Sequence, residues 1–315
     1  MEPLFSIIIP FYNPGEIIKY AINCLDSIDY SKNDIEVIFV DDGTNSNDIS
    51  LKIVDEYLLK NHFSKCVHKV NGGLGDARNY GVSHSSGKWI VFLDCDDYLQ
   101  PSTFEVFKHI SEVEDFNVLL FGFRTVDNSQ LFINSELNLK YRALDNKQIN
   151  DAFLKRSIVS LLPGSIFKKD FLIENNIWEP KIKWSEDQYF MWKVFNQAEK
   201  VVLSSFVNYN YLQNVNGSIM KSTNVDEMLK SFNQFNILST EMKNKKIANL
   251  LVPRWCLGCC HVLSARSDYD SFSFFLKQTY YKKWIKKLLK FPSIKVKILA
   301  FIGLISKKLL FKLMG

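Results

Sequence analysis

The first 125 or so residues alternate short apolar runs with amphipathic stretches, and this alternation restricts the fold more than any other feature of the sequence. Apolar runs of this length suit buried strands, and the stretches between them supply the crossover helices that parallel strands need. The predicted strands cover 5–10, 36–40, 64–70, 89–93 and 118–122. The predicted helices cover 15–28, 47–59, 76–85 and 102–112. The pattern predicts an α/β fold with a Rossmann-like, mostly parallel sheet flanked by helices.

Three of these strands run into polar or acidic residues at their carboxyl ends. Tyr12 and Asn13 follow the first strand, Asp41 and Asp42 follow the second, and the acidic segment 94–97 follows the fourth. Ligands of open α/β sheets bind outside the carboxyl ends of the strands. We therefore expect the three groups to line one crevice.

The segment 94–97 places the carboxylates of Asp94, Asp96 and Asp97 just past a buried strand. Such a concentration of negative charge is unfavourable unless a hard cation shares the site, and Mg²⁺ or Mn²⁺ with a substrate diphosphate is the usual occupant. The alternative is a solvated acidic turn, and it is the better interpretation of an Asp-x-Asp pattern taken alone.

Five motifs in order along the chain carry a family resemblance. They are 6–13 (SIIIPFYN), 40–44 (VDDGT), 71–81 (NGGLGDARNYG), 93–97 (LDCDD) and 184–190 (WSEDQYF). The set resembles the bacterial family-2 glycosyltransferases, and the resemblance covers roughly residues 4–220. It implies a GT-A fold and an inverting, metal-dependent enzyme that uses a nucleotide-activated sugar.

The resemblance assigns several residues to the UDP-sugar donor. Asp41 is placed to accept a hydrogen bond from the uracil N–H, and Tyr12 resembles the aromatic residue beside the base. Pro10, in the same motif as Tyr12, is assigned to the donor site as well. A loop-packing role is the alternative for Tyr12. Asp42 matches the family's second acid, and capping of the turn at 43–47 is the alternative to ligand contact.

The acidic segment and Arg78 are assigned to the diphosphate. The resemblance makes Asp96 the direct ligand of the Mg²⁺ or Mn²⁺ ion, with Asp94 acting on the ribose or through water. Asp97 is the third member of the group. Arg78 faces the diphosphate or positions the carboxylates in this interpretation, whereas the structural alternative pairs it with Asp94 or Asp76.

Asp187 is assigned as the general base that takes the proton from the acceptor hydroxyl. Glu186 is the adjacent alternative, since two neighbouring residues on a helix point about 100° apart and only one can face the acceptor. Trp184 and Glu186 are also assigned to the acceptor, with Trp184 offering a wall on which a sugar can stack. Ser185 is expected to cap the helix that follows.

A further segment resembles the part of the family that closes over the donor. It contains Tyr209, Tyr211 and the sequence Gly-Ser-Ile at 217–219. The basic residue expected after the second tyrosine is missing, and Lys221 is the candidate substitute.

The predicted function is sugar transfer from a UDP-sugar to a hydroxyl of a saccharide acceptor. A lipid-linked acceptor is inferred from the family and the tail. Surface polysaccharide biosynthesis is the expected context. A sugar-phosphate nucleotidyltransferase is one alternative, but it needs a glycine-rich, basic loop after the first strand, where 10–14 reads PFYNP. A non-catalytic membrane-surface protein on the same scaffold is the other alternative.

The net charge of +5 conceals a basic tail. Residues 277–315 contain eleven lysines and no acidic residue, so the remainder has 28 Lys and Arg against 34 Asp and Glu, a net charge of −6. This asymmetry argues against nucleic-acid binding along the chain. It favours a basic amphipathic helix on an anionic membrane surface, with Trp284 at the interface, over a solvated lysine face on a packed helix.

Four segments are predicted from these observations. They are a nucleotide-sugar-binding half (1–125), an acceptor-binding and catalytic-base half (126–220), a C-terminal helical extension (221–276) and the membrane-associating tail (277–315). The six cysteines show no disulfide framework, and the start of the chain lacks the pattern of a secretory signal. A cytoplasmic location, peripheral on the inner face of the cell membrane, is therefore expected.

Overall fold

A nine-stranded sheet lies at the centre of the computed structural model, which describes residues 2–28, 31, 34–127, 129–155, 158, 162–213 and 224–315. The strands are β1 (Phe5–Phe11), β2 (Ile35–Asp41), β3 (Ser64–His68), β4 (Trp89–Phe92), β5 (Tyr98–Leu99), β6 (Val118–Val126), β7 (Tyr141–Asp145), β8 (Ile166–Lys168) and β9 (Lys200–Leu212). Their order across the sheet is β3-β2-β1-β4-β8-β6-β9-β5, and β7 pairs with β9.

The part of the sheet formed by the first four strands is parallel. β1 lies between β2 and β4, with Phe5 opposite Ile35 and Ile8 opposite Phe92. All seven residues of β1 are buried, as expected for a central strand covered on both faces. The rest of the sheet is mixed, because β8 runs antiparallel to both of its neighbours, β4 and β6. The predicted α/β class is confirmed.

The helices follow the predicted pattern through the first half of the chain. They are α1 (Ile18–Ser27), α2 (Ile49–Leu58), α3 (Leu74–Ser83), α4 (Thr103–Ser111), α5 (Asn146–Lys155), α6 (Lys169–Glu174), α7 (Glu186–Gln197), α8 (Val225–Glu241), α9 (Lys245–Ala265), α10 (Tyr269–Gln278), α11 (Tyr281–Leu288), α12 (Ile294–Ile305) and α13 (Lys307–Met314). Helix α2 begins at Ile49 because the Asp48 carboxylate accepts the Ser50 amide at 2.9 Å.

The chain divides into two compact units. The first contains the sheet and comprises Met1–Asn146, Ser160–Lys181 and Phe190–Ser218. The second contains helices α8 to α13 and comprises Lys147–Val159, Ile182–Tyr189 and Ile219–Gly315. The predicted C-terminal helical extension is therefore present.

Helix α9 forms the centre of the second unit. Among the helices of the described residues, it is the one whose length and composition alone would allow it to cross a membrane. It packs against α8, α10, α11 and α13, and 67% of its most apolar 18-residue window is buried. That burial is typical of a core helix.

Helix α11 turns its apolar face inward. Trp284, Ile285 and Leu288 are buried, and the Trp284 indole Nε1 donates a hydrogen bond to the Thr279 hydroxyl at 3.2 Å. The prediction that Trp284 lies at a membrane interface is therefore wrong. Hydrophobic periodicity identified the apolar face of this helix, and neighbouring helices cover that face.

Helix α3 lies unusually close to β1 at Gly81. A Cβ atom at this position would collide with the Ile8 side chain and would lie 3.1 Å from Cγ2 of Val40. We expect Gly81→Ala to lower the free energy of unfolding by about 1–3 kcal/mol, because a packed interior does not accept an extra methyl group freely. Urea denaturation measures the change. Ser83→Ala, at an exposed position of the same helix, is the matched control and should stay within about 0.5 kcal/mol. Equal stability of the two variants would contradict the close packing.

Candidate active site

The ends of β1 and β2 are tied together by the loops that follow them. The Asn13 side chain accepts the Asn45 amide at 2.8 Å, and the Asn13 amide donates to the Thr44 hydroxyl at 3.2 Å. Asn13 itself has a φ of +47°, in the left-handed region that Asn tolerates better than most residues. Tyr12 is consequently held in a short loop with 53% of its surface exposed, so its ring is accessible to a ligand.

Pro10 fits into a central strand because of its position in the ladder. The Ile8 carbonyl accepts the Leu93 amide at 3.0 Å, so the backbone N–H and C=O groups of the even-numbered residues of β1 point towards β4. The pairing with β4 ends at Phe92, opposite Ile8. Pro10 therefore lies beyond the residues of β1 that pair with β4, so the N–H that proline lacks leaves no hydrogen bond between these two strands unmade.

Asp41 closes the turn after β2 with one carboxylate oxygen. Its Oδ1 accepts the Thr44 amide at 2.7 Å, and its Oδ2 lies 2.9 Å from Nδ1 of His68. The side chain is 8% exposed. The turn is thus closed by Asp41, and the alternative that gave this task to Asp42 is wrong.

Asp42 holds the glycine-rich entrance to α3. Its carboxylate accepts the amides of Gly72 and Gly73 at 2.9 and 2.8 Å, and Lys69 Nζ lies 2.6 Å from it. Gly73 has a φ of +90°, which the absence of a Cβ atom permits. Lys69 also pairs with Asp76 at 2.7 Å, so the loop is held by charge as well as by hydrogen bonds.

Arg78 is a buried link between two carboxylates. Its side chain is 1% exposed, and Nη2 lies 2.8 and 3.1 Å from the two oxygens of Asp94. Nη1 lies 3.4 and 3.5 Å from the oxygens of Glu179, and the guanidinium carbon lies 5.9 Å from the centre of the Phe92 ring. Arg78 therefore fixes the orientation of Asp94, and Asp76 pairs with lysines instead.

Glu179 is a site residue that the sequence did not reveal. Its side chain is 1% exposed, and its backbone exchanges two hydrogen bonds with the Asn79 side chain, at 2.9 and 3.0 Å. A Cβ atom at Gly75 would lie 2.9 Å from the Glu179 side chain, so the glycine permits this close approach. Arg78 and Glu179 are 101 residues apart, and nothing in the local pattern at 179 indicates the contact.

The two remaining acidic residues sit in an environment with excess negative charge. Burial and the neighbouring Asp94 charge raise the pKa of Asp96 to about 6. Burial, followed by the charges of Asp96 and Asp94, raises the pKa of Asp97 well above its usual range. Oδ1 of Asp97 accepts the Leu212 amide at 2.8 Å, and the Tyr209 hydroxyl also contacts this carboxylate.

Burial and mutual repulsion raise the pKa values of Asp96 and Asp97, and a bound divalent cation would offset both costs. In the described part of the chain, no set of three or more His, Cys, Asp and Glu side chains is arranged to hold a metal ion. Such a site suits Mg²⁺ or Mn²⁺, which bind through one or two carboxylates and take substrate phosphates and water as the other ligands.

Residues of strand β9, far along the chain from the acidic group, also hold this group in place. The Tyr209 hydroxyl accepts the Asp94 amide at 3.2 Å, and Leu212 holds Asp97 as described above. The segment predicted to close over the donor therefore begins in contact with the acidic group. Its continuation, with the sequence at 217–219 and Lys221, lies outside the described residues.

The predicted catalytic segment has a distinctive backbone. Ser185 has a φ of +61°, and α7 begins directly after it, with Glu186 and Asp187 half-buried in its first turn. Trp184 is 6% exposed, and its carbonyl accepts the Ser231 hydroxyl at 2.7 Å. Trp184 is therefore buried, and little of its surface is open to a sugar.

The donor-side residues all belong to the first unit. Pro10, Tyr12, Asp41, Asp94 and Asp96 lie at or just past the carboxyl ends of β1, β2 and β4, which are adjacent and parallel. The second unit holds Trp184, Glu186 and Asp187. The roles assigned to these residues stay predictions.

Acidic residues at the ends of adjacent parallel strands are the arrangement expected of a ligand-binding α/β enzyme. The sequence model of the family described as "Glycosyl transferase family 2" matches residues 6–171. The chain belongs to this family, which confirms the predicted resemblance.

Two relatives illustrate the relationship. The chain is 31% identical over 224 residues to the uncharacterized glycosyltransferase EpsJ of Bacillus subtilis, covering 69% of this chain and 63% of EpsJ. It is 30% identical over 223 residues to the poly(ribitol-phosphate) beta-N-acetylglucosaminyltransferase TarS of Staphylococcus aureus, covering 70% of this chain and 37% of TarS. The matched region thus spans less than two thirds of either relative.

Solved structures share the fold. The crystal structure of S. aureus TarS 1-349 in complex with UDP-GlcNAc has a TM-score of 0.69 and 22% identity, covering 100% of this chain and 90% of that one. The mannosyltransferase PcManGT from Pyrobaculum calidifontis, in complex with GDP-Man and Mn²⁺, has a TM-score of 0.52 and 13% identity, covering 100% of this chain and 84% of that one. The predicted GT-A fold is confirmed.

Proposed function

We propose that this glycosyltransferase moves a sugar from a UDP-sugar to a hydroxyl of a lipid-linked saccharide, with inversion, during surface polysaccharide biosynthesis. The observation that carries the donor part is the group Asp41, Arg78, Asp94 and Asp96, gathered at the carboxyl ends of adjacent parallel strands. TarS, a relative of the same fold, binds UDP-GlcNAc, which supports a UDP-sugar donor. The predicted location at the cytoplasmic face of the membrane belongs to the same proposal.

Three residues bind the nucleoside in this proposal. Asp41 keeps its carboxylate in place through Thr44 and accepts the uracil N–H. The exposed ring of Tyr12 packs against the base, and Pro10 shapes the wall below it. Asp94, oriented by the buried Arg78, hydrogen-bonds the ribose.

Asp96 would hold the divalent ion in this proposal. When bound, Mg²⁺ or Mn²⁺ neutralises charge on the departing nucleoside diphosphate. Because a proton and a cation compete for the Asp96 carboxylate, cation-dependent UDP binding should weaken as the pH falls below about 6.

Asp187 is the proposed general base. Asp187 lies in the first turn of α7, and the carbonyl of Trp184, just before this turn, accepts the Ser231 hydroxyl at 2.7 Å. The non-glycine residue Ser185 adopts a left-handed conformation immediately before this turn. Such strained positions cluster at functional sites, and this outlier supports the assignment. Asp187 would accept the proton of the acceptor hydroxyl as that oxygen attacks the anomeric carbon.

Calorimetry with UDP and Mn²⁺, with EDTA as the metal-free arm, tests the donor site. We expect Asp96→Asn to weaken Mn²⁺-dependent UDP binding about tenfold or more, because one charged metal ligand is lost. Asp170→Asn, at an exposed position of α6, is the matched control and should bind as the wild type does. UDP-glucose, UDP-galactose and UDP-N-acetylglucosamine, compared by thermal stabilisation, identify the sugar.

The same measurements can contradict the proposal. Absence of UDP binding with either Mn²⁺ or Mg²⁺ would favour the non-catalytic alternative. Preference for UTP with a sugar phosphate, over a UDP-sugar, would favour the nucleotidyltransferase alternative. If UDP bound with full strength in EDTA and Asp96→Asn had no effect, the donor would bind without a divalent cation.

A further inference from the structure

Helix α12 exposes its large apolar residues. Ile294, Ile298, Phe301 and Ile305 are 74%, 54%, 59% and 68% exposed. At 100° per residue, this spacing places the four side chains within about 60° of one another around the helix. They form one row on α12, and Leu309 and Leu313 of α13, the helix that follows, are also exposed, by 46% and 55%. We call these six residues the apolar stripe.

The opposite face of α12 is fastened to the second unit by small residues. Ala300 and Gly303 are its buried positions. A Cβ atom at Gly303 would collide with Ile285 of α11, so the glycine allows the two helices to pack closely. A surface helix of a water-soluble domain buries its large apolar residues, whereas α12 exposes the four named above and buries two small residues. The apolar stripe therefore needs a partner that is apolar itself.

Lysines surround this surface without acidic partners. All eleven lysines of 277–315 are exposed, and in the described part of the chain none lies within ion-pair distance of a carboxylate. Lys295 and Lys297 lie on either side of the apolar stripe, about 100° and 60° from Ile294 around the helix. The stripe thus has a positively charged rim, which complements a negatively charged partner.

We propose that the apolar stripe docks on an anionic lipid bilayer, with α12 lying in the plane of the interface. A helix of 12 residues is about 18 Å long, too short for a hydrocarbon core of about 30 Å, so it lies on the bilayer and does not span it. The apolar side chains enter the acyl boundary, and the lysines meet the lipid phosphates.

The lysine rim distinguishes a bilayer from a protein partner. Protein–protein interfaces are depleted in lysine, whereas membrane-surface helices combine lysines with a row of large apolar residues. The proposed surface differs from the one expected from the sequence. Trp284 is buried among other side chains, and the exposed residues of α12 would contact the bilayer. The inference rests on the membrane location in the proposed function and names the surface that makes the contact, and no step of the transfer reaction enters it.

Flotation of the full-length protein with vesicles tests the inference. Phosphatidylcholine vesicles containing phosphatidylglycerol should carry the protein, and pure phosphatidylcholine vesicles should carry much less. Phe301→Ser combined with Ile305→Ser should lower the partition coefficient about tenfold or more. Ile237→Ser, which removes an exposed apolar residue of α8 in the same unit, is the matched control and should float like the wild type.

A second pair of variants tests the charged rim. Lys295→Glu combined with Lys297→Glu should lower binding to the anionic vesicles about tenfold or more, whereas Lys246→Glu at the start of α9 should change it little. Circular dichroism and UDP binding, both measured without vesicles, should be the same for all variants. This separates loss of docking from misfolding and from failure of the donor site.

Two results would overturn the inference. One is flotation of the Phe301→Ser, Ile305→Ser protein at the wild-type level. The other is a wild-type dimer in lipid-free solution that the same variant converts to a monomer by light scattering, because the stripe would then be an interface between two copies of the chain.

Discussion

Asp187→Asn should lower the rate of sugar transfer by about 10²–10⁴-fold, because the variant cannot accept the proton of the attacking hydroxyl. The substitution keeps the size and shape of the side chain at a half-buried position in the first turn of α7. The measurement is UDP release from the UDP-sugar that the wild type consumes, with Mn²⁺ present. UDP affinity by calorimetry should stay unchanged, since the donor residues belong to the first unit.

Glu186→Gln is the matched control for this prediction. Glu186 is the neighbouring carboxylate of the same helical turn, and the two side chains diverge by about 100°. We expect the Gln variant to keep transfer within a few fold of the wild type. The reversed outcome, with Glu186→Gln inactive and Asp187→Asn active, would move the base to Glu186. Near wild-type activity of both variants would contradict a base in this segment.

The parallel half of the sheet and the acidic strand ends were predictable from the sequence for a physical reason. A buried central strand such as β1 must be apolar throughout, and its end must become polar where it meets solvent. Both features are local, so they are visible in a single run of residues. The positions of Asp41, Asp94 and Asp96 at strand ends were therefore predicted without the structure.

Contacts between distant segments were not predictable in this way. Glu179 is an unremarkable acidic residue in the sequence, and its burial depends on Gly75 and Asn79 of α3, about one hundred residues earlier. The prediction that placed Trp284 at a membrane interface failed for a related reason. Hydrophobic periodicity shows which face of a helix is apolar, but it does not show what covers that face. The task of Asp42 was misjudged for the same reason, since the Gly72 and Gly73 amides are 30 and 31 residues away.

Arg78→Met should lower the free energy of unfolding by about 3–5 kcal/mol, because it removes the cation between two carboxylates and leaves Glu179 buried without that counter-charge. Urea denaturation of the ligand-free protein measures the loss. Lys230→Met is the matched control. It removes the cation of an ion pair with Glu227 whose lysine is 64% exposed, and it should change the stability little.

A double variant separates the ion pair from simple loss of packing. Arg78→Met combined with Glu179→Leu replaces both members of the buried pair by apolar side chains, and such replacements are often close to neutral. We expect it to regain most of the stability that Arg78→Met loses. UDP binding should nevertheless stay weak in the double variant, because Asp94 no longer has the guanidinium that orients it. If the double variant is as unstable as Arg78→Met, lost packing accounts for the effect. If it binds UDP normally, Arg78 has no role in positioning Asp94.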